Sequence, residues 1–73
     1  MDIRRQVGAN LRKYRLLRGW SQENLAFESG LHRTYISGVE RGARNPTVLV
    51  LYELAAALGV KPAQLLDEAK HSK

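Results

Sequence analysis

The stretch SGLHRTYISGVERG, residues 29–42, decides how this chain folds. Ile36 and Val39 lie one helical turn apart and set the apolar side of a short helix, with Leu31 just before it to close the base. Gly42 stands where such a helix ends on a left-handed cap. Gly30 stands before it, in a turn whose left-handed backbone costs any residue with a Cβ about 1–2 kcal/mol. The preceding residues, SQENLAFES, read as a partner helix. Ser21 is its N-cap, and Gln22 and Glu23 suit its first turn. Asn24 makes a weaker capping box than Glu would. Leu25, Ala26 and Ser29 form the inner edge, and Trp20 anchors the entry onto the core. Ala26 is small where the two helices approach. Two short helices joined at Gly30 make a helix-turn-helix over about 21–41.

An ordinary corner between two helices explains Ala26, Gly30, Ile36 and Val39 equally well. It does not explain the outer face. Arg33 and Ser37 are four residues apart with Thr34 beside them, so all three project together away from the packed side. Packing asks only for polarity there. An arginine fork with short hydroxyls is what reading base edges and phosphates asks for.

Outward from this centre, glycines and prolines divide the chain into five pieces. The first, about 2–18, carries Ile3, Val7, Leu11, Tyr14 and Leu17 as a stripe, with Arg4, Arg5, Arg12 and Lys13 largely off it, and ends at Gly19. Thr47, after Pro46, caps a fourth helix with Val48, Leu51, Leu54, Ala55 and Leu58 facing inward and Gly59 at its end. Pro62 starts a fifth, with Leu65 and Leu66 inside, and residues 69–73 are expected to fray. No alternating β pattern appears. The expected fold is all-α: five helices in a single domain spanning 1–73.

Composition narrows the function. The chain has 73 residues, no Cys and two separated His, so neither a disulfide framework nor a metal cluster is expected. No nucleophile–base set or phosphate-cradling glycine loop is present, which speaks against an enzyme, and no cofactor or small-molecule ligand is expected. No apolar run approaches the roughly 20 residues needed to cross a bilayer, and the first residues lack a signal-peptide core. A cytoplasmic protein without a membrane partner is expected. The net charge of +5 is unevenly placed. Through Arg44 there are nine Lys and Arg against four Asp and Glu; from Asn45 onward there are three of each. Basic excess confined to the segment that holds the helix-turn-helix suggests a polyanion-facing surface.

At these residues the chain resembles the Cro/phage-repressor (XRE-type) helix-turn-helix family. The resemblance rests on Arg18-Gly19, Ser21-Gln22, Leu25-Ala26, Gly30, Ile36, Glu40, Gly42, Asn45-Pro46 and Leu54-Ala55 with Leu58-Gly59-Val60 at fixed spacing. The stretch SGLHRT–ISG–ERG is most similar to small controller proteins of restriction–modification systems. The resemblance implies a lambda-repressor-like domain with a recognition helix at about 32–41 in the major groove of double-stranded DNA. Arg33 and Thr34 match base-reading positions; Ser37 is assigned a base or phosphate. Gln22, His32, Arg41, Arg44 and Asn45 match phosphate contacts, His32 serving otherwise as a helix cap. Two readings fit Tyr35: packing at the helix edge, or a hydroxyl on phosphate. Arg15 and Glu40 match a buried ion pair tying the first helix to the third. Gly38 departs from the pattern, because that position often carries a long base-reading side chain. Its absence implies relaxed specificity at one base pair, with a close approach of the backbone to DNA as compensation.

The fourth helix carries more apolar residues than one core face uses. Leu49, Val50 and Tyr52, with Val60 and Leu65, are expected to form a homodimer surface, a loosely covered small core being the other explanation. A dimer would set two recognition helices about 34 Å apart on a roughly palindromic operator. The same apolar patch also suits an antitoxin-type module that binds a protein partner as well as DNA. RNA binding is disfavoured, because no aromatic platform for stacked bases is visible. Phe27 has no role in either scheme.

Overall fold

The computed structural model describes residues 2–68, so the expected fraying at 69–73 lies outside the described residues. Five helices follow in order: α1 (Ile3–Leu17), α2 (Gln22–Ser29), α3 (Arg33–Glu40), α4 (Val48–Leu58) and α5 (Pro62–Leu66), with no strand among the described residues. Local chemistry starts three of them. The Asp2 carboxylate accepts from the Arg4 amide at 2.9 Å, Ser21 Oγ from the Asn24 amide at 3.0 Å and Thr47 Oγ1 from the Val50 amide at 3.1 Å. Asn24 completes the capping box, but its return bond from the Ser21 amide is long, 3.4 Å. Gly30 takes φ 75°, and its amide and that of Leu31 both close on the Ala26 carbonyl, so the turn into α3 is fixed at its narrowest point.

The core draws Val7 and Leu11 from α1, Leu25 and Ala26 from α2, Ile36 and Val39 from α3, Leu51, Leu54, Ala55 and Leu58 from α4, and Leu65 from α5. Trp20 and Leu31 pack against it as expected. Four residues assigned to the apolar faces do not join it: Ile3, Leu17, Val48 and Leu66 are 45–72% exposed. Each is the first or last residue of its helix, where the ends overhang a small core. A second correction concerns Leu65. It is fully buried and has no side-chain surface to offer a partner; its neighbour Leu66 is the exposed one.

Polar side chains do structural work that helical periodicity does not reveal. A five-residue helix such as α5 cannot satisfy its own last carbonyls. Gln6 Nε2 donates to the Leu66 carbonyl at 2.7 Å, and Asn10 Nδ2 donates to those of Leu65 and Asp67 at 2.9 and 2.7 Å. Both side chains belong to α1 and are buried. Gly8 marks a close approach between α1 and α3. A Cβ there would overlap the Val39 carbonyl oxygen and lie 2.6 Å from that of Glu40, so α1 rests directly on the backbone of α3.

Candidate nucleic-acid interface

Ile36 and Val39 are fully buried on one side of α3, which leaves its other side outward. Arg33 and Thr34 are exposed there and Ser37 is half-buried between them and the following loop. Arg41, at the C-cap, donates from Nη1 to Ser37 Oγ at 2.6 Å. That bond occupies the serine oxygen as acceptor and leaves its hydroxyl hydrogen to donate outward. His32 holds the N-cap position and is exposed, but its ring makes no capping bond.

Gly38 is explained within the chain. Its carbonyl accepts from the amides of Ala43 and Arg44 at 2.8 and 3.2 Å, folding the loop back onto α3. A Cβ at residue 38 would stand 2.6 Å from Arg44 Cγ. Within the chain itself, the side chain of Arg44 lies across the position that such a Cβ would take. The Arg44 guanidinium sits 5.8 Å from the centre of the Tyr35 ring, within cation–π range. Tyr35 itself is half-buried and packs against the core. Asn45 is exposed beyond the loop.

The interface is carried on a buried polar junction. Arg15 Nε donates to Glu40 Oε2 at 2.6 Å and Nη2 to Oε1 at 3.0 Å, while Nη1 reaches the Trp20 carbonyl at 2.8 Å. The two side chains are 9% and 4% exposed. The hydrogen bond to the Glu40 carboxylate raises the Arg15 pKa above its ordinary value. Gln22 Nε2 donates to the same Glu40 Oε1 at 3.0 Å. One amide hydrogen of Gln22 is thereby committed inward. A single carboxylate thus ties α1, α2 and the end of α3 together. Pairing Arg15 with Glu40 was legible; the inward bond of Gln22 was not.

Away from this face, Leu49 and Tyr52 are 67% and 60% exposed on α4, whereas Val50 and Val60 are half-buried against the core. Phe27 on α2 is 83% exposed.

Comparison with known proteins places this arrangement. Residues 11–65 match the helix-turn-helix family. The chain belongs to that family, in its XRE-type branch. Its members are DNA-binding transcriptional regulators, and the assembly of α2, the Gly30 turn and α3 is the motif that names them. The chain is 49% identical to control protein C.BamHI of Bacillus amyloliquefaciens over 67 residues, which is 90% of this chain and 83% of that protein. It superposes with a TM-score of 0.83 on the restriction–modification controller C.AhdI of Aeromonas hydrophila. Identity is 47%, with 85% of this chain and 94% of that one covered. A third relative, the controller C.Esp1396I solved as a tetramer on its natural 35-base-pair operator, gives a TM-score of 0.81 at 38% identity, covering 89% of this chain and 86% of that one. The all-helical architecture of this helix-turn-helix regulator agrees with these neighbours.

Proposed function

We propose that this helix-turn-helix regulator is a controller-type protein that acts as a homodimer on a roughly palindromic operator. The observation that carries the reading is the outward face of α3. Arg33 and Thr34 stand exposed above a buried Ile36–Val39 seam, with Ser37, Arg41 and Arg44 beside them. In this scheme α3 enters the major groove. Arg33 reads guanine through its fork, a contact worth ~1–3 kcal/mol of discrimination, and Thr34 meets a thymine methyl group or a phosphate. Ser37 donates its remaining hydrogen to a base or phosphate, while Arg41, Arg44, Asn45, His32 and Gln22 hold the backbone. The controllers C.BamHI and C.AhdI support the functional class, and the operator complex of C.Esp1396I supports DNA as the ligand. Leu49 and Tyr52, with Val48 beside them on α4, supply the apolar surface that a second copy would cover.

Selection of bound duplexes from a random pool tests this directly. A recovered site with two related halves about one helical turn apart is the expected result. Substituting Arg33→Ala should reduce preference for that site over random DNA roughly 5- to 100-fold, while random-sequence binding falls much less. Recovery of no consensus by the wild-type protein would refute the proposal.

A further inference from the structure

Two glycines near the end of α3 record how closely other parts of the chain approach it. Arg44 crosses the gap at Gly38, as described above. At Gly42 the neighbour comes from a different helix: a Cβ there would lie 2.8 Å from Arg5 Cγ and 3.3 Å from Arg5 Cα. The first turn of α1 is therefore seated against the loop that follows α3. Arg5, distant in sequence, joins Arg41 and Arg44 around one end of that helix, and all three are exposed.

No carboxylate pairs with any of these three arginines among the described residues. Glu40, next to Arg41, is already held by Arg15 and Gln22, and Asp2, three residues before Arg5, pairs with the Arg4 guanidinium. Like charges gathered without a counter-charge repel one another, and a phosphate backbone is a ligand that relieves the repulsion. Arg4 provides a contrast one residue away. Its guanidinium is engaged by the Asp2 carboxylate at 3.0 Å.

We infer that Arg5 is a DNA-phosphate contact, extending the interface from the loop after α3 onto the start of α1, and that Arg4 is not. The inference rests on the reading of α3 as a DNA-binding helix. It adds a residue that neither the family pattern nor the sequence reading assigned. Arg5 and Arg4 look alike in sequence; packing against Gly42 and pairing with Asp2 set them apart.

The test is the salt dependence of binding to a fluorescent random-sequence duplex, measured by anisotropy for the wild type, Arg5→Gln, Arg4→Gln and Arg5→Lys. Both Gln variants remove the same unit of charge. Loss of one phosphate contact lowers the steepness of log K against log salt by about 0.9. Arg5→Gln is expected to show that drop with roughly three- to tenfold weaker binding at physiological salt. Arg4→Gln should keep the wild-type slope, and Arg5→Lys should restore it. Thermal melts of each variant confirm that the fold is intact. An unchanged slope for Arg5→Gln, or an equal drop for Arg4→Gln, would overturn the assignment of Arg5 alone. A wild-type protein that binds no duplex would overturn the DNA-binding reading as well.

Discussion

Gly8 and Glu40 are the residues on which the geometry of α3 depends most. A methyl group at Gly8 meets backbone oxygens of Val39 and Glu40, which cannot rotate away as a side chain would. Gly8→Ala should therefore destabilise the fold by roughly 1–3 kcal/mol, despite the better helix propensity of alanine. For a domain of this size that corresponds to a thermal midpoint lower by roughly 4–8 °C per kcal/mol, readable by circular dichroism. A midpoint at or above the wild type's would show that α1 does not rest on α3 as described. Glu40→Ala strands the buried Arg15 guanidinium and should cost about 3–5 kcal/mol in urea denaturation. Gly8 is not legible in the sequence because it sits inside a helical pattern, where glycine carries no turn signal. The Arg15–Glu40 pair was legible because the family resemblance marks both positions.

The elements differ in how they are stabilised. α2 begins with a side-chain cap, so Ser21→Ala should lower stability by about 1 kcal/mol. α5 is too short to stand alone and depends on Gln6 and Asn10 for its end. α1 opens on Asp2, whose pKa is lowered chiefly by the hydrogen bond from the Arg4 side chain and also by the Arg4 amide. A carboxylate with a folded pKa below its unfolded value contributes stability above the unfolded pKa and loses it as pH falls through the folded one. The contribution of Asp2 to the first turn of α1 should therefore be full above the ordinary Asp pKa and be lost progressively as pH falls from there through the lowered folded value. An NMR titration of the Asp2 carboxyl carbon reads this, and a midpoint at or above the ordinary Asp value would remove the cap from the account.

At the scale of the molecule, charge and apolar surface divide between two regions. Exposed Arg5, Arg41 and Arg44 gather at the end of α3 and the first turn of α1, and α4 presents three exposed apolar side chains close together, Val48, Leu49 and Tyr52. Leu49→Glu should yield monomers by analytical ultracentrifugation and weaken binding to a two-half operator far more than binding to a single half-site. Unchanged sedimentation would move the proposed interface away from α4. Val50 and Val60 are poorer choices for this test, because both are already half-covered by the core.

The sequence alone determined the five helices, the Gly30 turn and the outward placement of Arg33 and Thr34, because periodicity and capping act within a few residues along the chain. It did not determine which apolar residues would be covered. Ile3, Leu17, Val48 and Leu66 continue the apolar pattern, yet coverage depends on how far a neighbouring helix extends. Nor did it reveal that Arg44 fills the notch at Gly38, that Gln22 turns inward to Glu40, or that Arg5 meets Gly42. The last two join segments remote in sequence and the first depends on how the loop after α3 folds back, so only folding brings these atoms within reach of one another.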